Sequence, residues 1–415
     1  MRRIVVLIAF TICVSLILPL PVLVNAQITA DTEMQLKRGI SLAEKGKLDE
    51  AIEQFLKIIE NNPNYELAYS NLGTAYYQKG QLNKAIEALK KAIDLNPNNK
   101  GAHSNLGNAY IDAGKYDEAI AEHRKVIELD PNDAEAFINL AVAFSQKGDV
   151  EEGINQLKKA ISLNPYHPLA RKNLGYSYYR MKKWPEAIDE LLLARDIDEW
   201  YPDVEETLRE ILKQASPDLE NWVNEKTNDP LPHYYLAYAH AYKGEWEKAM
   251  KEIEKAIELN RSKGEFYKSK ALFYSSQNKH KEAITHCKEC VTIDDSNWAC
   301  YNSLGKSYLA IGKPKEALDA IIKATNINPN VISIQANLGV AYVENGENEK
   351  AIIAFQKAIS LGAKNPIIHF NLAVTYFNLK RYDMAWSHVR TAERMGHPRV
   401  NNLIKMLMEV SKEPE

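Results

Sequence analysis

Cysteine is scarce in this sequence, which has four among its 415 residues. Three of them, Cys287, Cys290 and Cys300, lie outside the N-terminal segment 1–26. Small secreted domains that depend on disulfides are dense in cysteine. This chain is therefore not a disulfide scaffold, and its fold has to depend on packing.

An excess of charge of one sign is also lacking. The 52 basic and 55 acidic residues give a formal net charge of -3 and are spread along the chain without long runs of one sign. Proteins that bind nucleic acids carry a basic face that neutralises phosphates. The composition therefore predicts no nucleic-acid partner. A hydrophobic content of 45% is that of a folded protein and disfavours disorder.

Catalytic motifs are missing as well. The sequence has no Gly-rich phosphate loop, no HExxH and no GxSxG. The stretch HCKEC, ending at Cys290, resembles a metal or redox motif, but Cys287 and Cys290 fall on the apolar stripe of a predicted helix. This placement favours two small buried hydrophobic residues. We therefore predict no enzyme, no cofactor and no metal site, and we note Cys290 and Cys300, in adjacent helices, as a candidate disulfide pair.

The N-terminus has the pattern of a secretory signal peptide. Two arginines precede an uncharged apolar stretch at residues 4–18, Pro19 and Pro21 follow it, and small or modest residues end at Ala26. We predict cleavage after Ala26, with 1–26 as the signal peptide and a periplasmic or secreted mature protein. The alternative is an inner-membrane anchor at residues 4–24, a stretch about long enough to span a bilayer.

The remainder of the chain repeats at a period of 34 residues. An alanine recurs in a constant context, with one glycine in its place, and a small residue lies twelve positions before each. The pattern holds ten times in phase, which is the signature of a repeat architecture. The recurring residues are Ala51, Ala85, Ala119, Gly153 and Ala187, then Ala249, Ala283, Ala317, Ala351 and Ala385.

Each repeat contains two amphipathic helical patterns. In residues 66–99 the apolar residues recur at spacings of three and four, so each helix has one buried stripe. The small residues Gly73 and Ala85 let the two helices approach closely. Gly80 falls between them, where a left-handed cap favours glycine, and Pro97 ends the second helix. The sequence therefore predicts a stack of helical hairpins.

This pattern resembles the tetratricopeptide repeat family. The resemblance implies an all-α fold, a right-handed superhelical solenoid of about ten helical hairpins. Tandem units cover 32–201, with five repeats, and 230–399, with five more. The family's pattern of Trp, Leu, Gly and Tyr, then Ala, Phe and Pro, appears here as Tyr69, Leu72, Gly73, Tyr76, Ala85, Leu89 and Pro97.

Two segments fall outside the repeats. Residues 202–229 interrupt the period, and their two apolar sets are separated by a break at 216–218, so we predict a degenerate helical hairpin that keeps the stack continuous. A flexible linker is the alternative, which Trp222 and the periodicity disfavour. Residues 400–415 are predicted as a capping helix and tail that cover the end of the stack.

The resemblance also implies where a partner binds. In this family the first helix of each pair lines the concave side, and partners bind there as extended or helical peptides. An amide offers two donors and an acceptor, so a row of asparagines can bind a peptide backbone whatever its side chains are. The alternative is that these amides are solvated, since Asn-Leu-Gly is common in the family. The groove asparagines are Asn71, Asn105, Asn139, Asn173, Asn337 and Asn371.

A cluster of tyrosines lies at groove-type positions where the two arrays meet. Tyrosine gives a large contact area with a polar tip and is favoured at binding surfaces. The alternative is that several of these rings pack under residues 202–229. The cluster is Tyr176, Tyr179, Tyr234, Tyr235, Tyr238 and Tyr242.

These observations predict a non-catalytic protein–protein interaction scaffold or assembly factor of the cell envelope. It would bind partner proteins or peptides through the concave groove. The alternative is a subunit that recruits substrates for a separately encoded envelope enzyme, a glycosyltransferase or hydrolase. The family's carboxylate clamp for chaperone tails matches no triple of units, which disfavours that class. Contact with a membrane is expected only if the N-terminal segment is uncleaved, and the oligomeric state is left open.

Overall fold

The computed structural model describes the backbone of residues 20–413 and the side chains of residues 31–413. Most of the predicted signal peptide, 1–26, and of the alternative anchor, 4–24, lies outside the described residues. Every regular element in the described range is a helix, so the all-α prediction is confirmed. None of these helices is long and apolar enough to cross a membrane.

The chain forms two compact units, the first ending at Lys147 and the second beginning at Gly148. The first unit has seven described helices: α1 (Leu20–Glu44), α2 (Leu48–Asn61), α3 (Glu66–Gln78), α4 (Leu82–Leu95), α5 (Lys100–Asp112), α6 (Tyr116–Leu129) and α7 (Ala134–Lys147). The second unit begins with α8 (Val150–Leu163), α9 (Pro168–Arg180), α10 (Trp184–Ile197), α11 (Val204–Glu225), α12 (Pro230–Tyr242), α13 (Trp246–Leu259), α14 (Gly264–Ser276) and α15 (His280–Ile293). It continues with α16 (Trp298–Ala310), α17 (Pro314–Ile327), α18 (Ile332–Glu344), α19 (Asn348–Ser360), α20 (Pro366–Asn378), α21 (Tyr382–Arg394) and α22 (Val400–Val410).

Small residues set the close approach of the two helices in a hairpin. A Cβ atom added at Gly73 on α3 would lie 2.5 Å from Leu89 Cγ on α4, and one at Gly339 on α18 would lie 2.5 Å from Phe355 Cε1 on α19. Real Cβ atoms do not approach a neighbour so closely, so a larger residue at either position would push the helices apart. The interpretation of the periodic small residues as helix-crossing positions is therefore confirmed.

The turn between the helices of a hairpin is a left-handed cap. Gly80 has φ of +74°; its N–H donates to the carbonyl of Tyr77, and the next N–H, of Gln81, donates to the carbonyl of Tyr76. These two bonds satisfy carbonyls that the end of α3 would otherwise leave unpaired. Lys182, Asn278 and Lys380 adopt the same left-handed backbone with φ of 56–59°, although they carry a Cβ atom.

The predicted hairpin at residues 202–229 is instead one continuous helix. α11 has 22 residues and contains Pro217 in its interior. Proline inside a helix removes one hydrogen bond and costs about 3 kcal/mol. The buried stripe of Leu208, Ile211, Leu212 and Leu219 outweighs this cost, because each such side chain contributes about 1.5–3 kcal/mol when it is buried. α11 packs against α10 and α12.

The boundary between the units falls inside the first predicted array, 32–201. Its fourth repeat contributes α7 to the first unit and α8 to the second. The turn glycine there, Gly148, has φ of +105°, whereas Gly80, Gly114 and Gly244 have values of +71° to +79°. At this turn the N–H of Val150 donates to the carbonyl of Gly148 over 3.0 Å.

The C-terminal helix covers the last hairpin. Val400, Leu403, Ile404 and Leu407 of α22 are buried, and the helix packs on α20 and α21. Beyond its end, the indole N–H of Trp386 donates to Ser411 Oγ over 3.0 Å. The predicted range 400–415 therefore contains a closing helix at Val400–Val410.

A disulfide joins two successive helices in the second unit. Cys290 on α15 and Cys300 on α16 are bonded, with 6.2 Å between their Cα atoms. Cys287, one turn earlier on α15, is a buried free thiol, and its burial raises the pKa to about 12. Cys287 therefore behaves as a small core residue.

Candidate binding grooves

The first unit presents half-buried asparagines on the first helices of its hairpins. Asn71 lies on α3, Asn105 on α5 and Asn139 on α7, each partly exposed. Asn105 Nδ2 donates to Thr74 Oγ1 over 2.9 Å, and Asn71 Nδ2 donates to the carbonyl of Leu67 over 2.7 Å. These hydrogen bonds orient the two side-chain amides. Their carbonyl oxygens remain able to accept a hydrogen bond from a partner peptide.

In the second unit, a segment of the chain itself lies against the corresponding helices. Ser333 Oγ on α18 donates to the main-chain carbonyl of Asp196, at the end of α10, over 2.6 Å. Asn302 Nδ2 on α16 donates to Ser333 Oγ over 3.3 Å, and Asn337 Nδ2 donates to Asn302 Oδ1 over 3.0 Å. The groove asparagine Asn337 thus belongs to a chain of polar side chains that ends on a backbone carbonyl.

Buried charges hold the same segment in place. The side chains of Lys268 and Asp196 are 9% and 16% exposed and form an ion pair, and Lys268 Nζ also lies 2.6 Å from Glu265 Oε1. Burial alone would lower the pKa of Lys268, but the two carboxylates outweigh it and raise that pKa. Burial would raise the pKa of Asp196, but Lys268 and Arg195 outweigh it and lower that pKa. These buried ion pairs therefore fix the end of α10 firmly against the helices of this groove.

Most of the predicted tyrosine cluster packs inside the second unit. Tyr235 stacks on Trp222 of α11, with 6.2 Å between ring centroids and 15° between planes, and its hydroxyl donates to Asp189 over 2.8 Å. Tyr238 is fully buried, and its hydroxyl lies 2.7 Å from Ser269 Oγ. Tyr235 therefore packs against residues 202–229, whereas Tyr238 contacts Ser269 and Phe273 of α14.

Two further tyrosines of the cluster are also engaged, and one is largely open. The Tyr242 hydroxyl accepts a bond from Arg195 over 3.2 Å and donates to Glu205 over 3.1 Å. The Tyr179 ring lies 5.7 Å from that of Tyr176, which is 49% exposed. Among the predicted tyrosines, Tyr176 is therefore available to a partner, whereas Tyr235 and Tyr238 are not.

The remaining groove asparagines lie at two separate places in the second unit. Asn173 is half-buried on α9. Asn371 on α20 lines a small cleft together with Asn337, Asp198 and Trp200. The asparagines of the prediction therefore divide into a set in the first unit, Asn173 alone, and a pair beside the end of α10.

Sequence reasoning missed Asp196, Asp198, Lys268 and Ser333. Lys268 pairs with a residue 72 positions away, and Ser333 with one 137 positions away. Neither separation is a multiple of the repeat period that brings groove positions together. No local signal in the sequence marks these contacts.

The family comparison agrees with the helix pairing. A model described as a TPR repeat matches residues 39–80, 73–112, 107–148, 143–182 and 341–380. Residues 39–182 and 341–380 are tetratricopeptide repeats. As a class, tetratricopeptide repeats bind other proteins or peptides. A model described as the CadC C-terminal domain matches residues 181–346.

Solved structures similar to this chain match either part of it or most of it. MamA is 28% identical, with 38% of this chain and 91% of MamA covered and a TM-score of 0.36. A MamA fragment from Desulfovibrio magneticus RS-1 is 20% identical, with 41% and 97% covered and a TM-score of 0.39. Yeast Tom70 is 14% identical, with 92% and 96% covered and a TM-score of 0.43. No protein of curated function matches the sequence.

Proposed function

We propose that this protein is a non-catalytic scaffold or assembly factor of the cell envelope, which binds an extended segment of a partner protein in a groove of its first unit. The groove is formed by α3, α5 and α7 and contains Asn71, Asn105 and Asn139. Contacts with main-chain groups provide the affinity, so the partner segment is chosen mainly by its extended conformation and accessibility.

The observation that carries this proposal comes from the second unit. There, Asn337 and Asn302 lead through Ser333 to the carbonyl of Asp196. A polar side chain at a groove position, Ser333, thus bonds to a backbone carbonyl, which supports the proposal. In the first unit, among the residues that the structure describes, the amide of Asn139 has no hydrogen-bond partner, and Asn105 uses only its N–H donor. These side chains retain the capacity to bind a chain from another protein.

An envelope location is supported by two independent features. The pattern of residues 1–26 is that of a secretory signal peptide. The bond between Cys290 and Cys300 is of a kind that persists in oxidising compartments and is rare in the cytosol of mesophiles. Both features favour a mature protein that works outside the cytoplasm.

Site-specific photocrosslinking in cells tests the groove. A photoreactive amino acid replaces Asn105 or Asn139, and the matched controls carry it at Lys91 on α4 or Glu128 on α6, exposed positions on second helices. We expect the two groove positions to give a crosslink to the same partner, and the controls to give none. Equal crosslinking from all four positions, or none from Asn105 and Asn139, contradicts the proposal.

The location is tested separately by the mass of the purified protein. We expect a mature chain that begins at Gln27, recovered with the periplasmic or secreted fraction. An intact N-terminus in the membrane fraction would support the anchor at residues 4–24 instead. This measurement does not depend on the outcome of the crosslinking.

A further inference from the structure

Asp198 is buried, whereas Asp130, the aspartate at the same turn position of an earlier repeat, is half-buried. Asp198 follows α10, and one of its side-chain oxygens, Oδ1, accepts a bond from the N–H of Trp200 over 3.2 Å. Asp130 makes the same turn bond with Asn132, but its other oxygen pairs with Lys100 over 2.7 Å. Asp198 is only 2% exposed, and its Oδ2 has no hydrogen-bond partner in the part of the chain that the structure describes.

An unpaired buried carboxyl oxygen is costly and calls for an explanation. A buried acceptor without a partner costs about 1–3 kcal/mol, and more when it is charged. Burial, followed by the nearby charge of Glu199, raises the pKa of Asp198 to about 6. At neutral pH the group is therefore an anion in a site that offers it one N–H donor. Such groups often mark a place where a ligand supplies the missing partner.

A cleft of about 70 Å³ lies beside this carboxyl. A single water needs about 10–15 Å³ of such space, so the cleft holds a few waters or an ammonium group with its neighbouring methylenes. Asn337 contributes an amide whose Nδ2 already donates to Asn302, which leaves its carbonyl oxygen as an acceptor. Asn371 contributes a second amide. Among the described residues that line the cleft, none is basic.

Trp200 also lines the cleft and is 58% exposed. The same indole borders a second cleft of about 560 Å³, which Arg209, Tyr242 and Trp246 also line. An exposed tryptophan between two concave areas is typical of binding surfaces, and an indole face attracts cations. The apolar wall of Ile332, Val340 and Ile368 suits a methylene stem that leads to a charged head.

We propose that this cleft receives the lysine side chain of a partner protein, with the segment that carries the lysine covering Trp200. The ammonium group donates to Asp198 Oδ2 and to the amide oxygens of Asn337 and Asn371. Asp198 has a single unpaired oxygen, which fits the point charge of lysine better than the two-pronged guanidinium of arginine. The site lies in the second unit and does not depend on the groove of the first.

A metal ion fits the site less well. Two carboxylates line the cleft, Asp198 and Glu199, and Glu199 already pairs with Lys306. No group of three or more histidine, cysteine, aspartate or glutamate side chains in the described residues is placed to hold a metal. Hard cations such as Ca²⁺ take six to eight oxygen ligands, usually with several carboxylates. The donor set therefore favours an ammonium group.

Peptide binding tests the proposal by calorimetry on the purified full chain. The probe is the peptide Ac-Ala-Ala-Lys-Ala-Ala-NH₂, and its control has norleucine in place of lysine. We expect at least tenfold tighter binding of the lysine peptide. Asp198→Asn keeps the turn bond with Trp200 and should abolish the difference, whereas Asp130→Asn, at the same turn position of an earlier repeat, should leave it unchanged.

Three outcomes overturn the proposal. Equal affinity for the two peptides, or a preference for lysine that persists in Asp198→Asn, means that the cleft does not bind lysine. Methylammonium that binds as tightly as the peptide means that the site takes a free amine and not a protein segment. Calcium that displaces the lysine peptide from wild type, and that binds wild type but not Asp198→Asn when added alone, means that the site holds a metal.

Discussion

The hydroxyl of Ser333 donates a 2.6 Å hydrogen bond to the main-chain carbonyl of Asp196, which lies 137 residues earlier in the chain. A single bond of this kind contributes only about 1 kcal/mol. The bond matters because it holds the end of α10 against α18, the first helix of a hairpin four repeats further along the chain. The second unit is thereby stabilised from its inner side, and the groove there is partly used by the protein itself.

The ion pair between Lys268 and Asp196 should be critical for the second unit. We expect Lys268→Met to destabilise it by about 3 kcal/mol, because the change leaves buried Asp196 with Arg195 alone and removes the cation of Glu265. Denaturant unfolding followed by circular dichroism measures the effect. The control is Lys255→Met, which removes an exposed pair with Glu258 and should change stability by less than about 1 kcal/mol.

The double variant Lys268→Met with Asp196→Asn separates charge from packing. Removing both charges should recover part of the lost stability, since Asp196 no longer lacks the cation of Lys268, while Arg195 and Glu265 remain charged. A double variant as unstable as Lys268→Met would show that the methylene contacts of Lys268, and not its charge, stabilise the segment.

The sequence predicts the hairpins well because their determinants are local. Gly73 and Leu89 meet within one repeat, and their spacing recurs along the chain, so a single pattern defines every crossing. The same reasoning failed at Pro217, where a local helix-breaking signal was outweighed by the burial of residues contributed by neighbouring helices. It also missed the contact of Ser333 with Asp196, because the two residues lie 137 positions apart and the repeat pattern describes only contacts within and between neighbouring hairpins.

Asp198 should make stability depend on pH in a defined direction. Its pKa is about 6 in the folded protein against an ordinary value of 3.8, so between these values the folded state binds more protons than the unfolded state. Stability therefore falls as the pH rises from about 4 to 6 and stays lower above that. A shift of this size corresponds to about 3 kcal/mol at most.

The variant Asp198→Asn isolates this effect. We expect the difference in unfolding free energy between the variant and wild type to shift by about 2–3 kcal/mol in favour of the variant from pH 4 to pH 7.5. Any cost of the substitution that does not depend on pH is the same at both pH values and cancels in this comparison. Denaturant unfolding at the two pH values measures the gain. Asp130→Asn is the control, because Lys100 lowers the pKa of Asp130 and its removal should not produce a gain of this sign. A pH-independent difference for Asp198→Asn would show that its carboxyl titrates normally.

His123 should destabilise the first unit, and more so in acid. It is fully buried against Gly107, neither ring nitrogen has a hydrogen-bond partner among the described residues, and burial lowers its pKa to about 4. Between about pH 6.5 and 4 the His123 imidazole is therefore protonated in the unfolded state but not in the folded state. Stability falls as the pH decreases through this range.

His123→Leu should remove both costs. Leucine occupies the equivalent position at Leu89, against Gly73, so it fits the same crossing. We expect a gain of about 1–3 kcal/mol at pH 7.5 and a larger gain at pH 5, measured by thermal or denaturant unfolding. A loss of stability, or a gain that does not grow in acid, would mean that the imidazole is solvated or paired in solution.

The turn residue Lys182 should gain from replacement by glycine. It is exposed and has φ of 56°, a left-handed conformation that costs residues with a Cβ atom roughly 1 kcal/mol. Lys182→Gly should therefore raise stability by about 0.5–1 kcal/mol, after the greater flexibility of glycine in the unfolded chain is subtracted. The reverse substitution, Gly80→Ala, is the control. Gly80 has φ of +74° and nothing lies within 4 Å of the added Cβ, so the variant should lose about 1 kcal/mol of stability through backbone strain alone. If unfolding midpoints moved in the same direction for both variants, left-handed strain would not be what limits these turns.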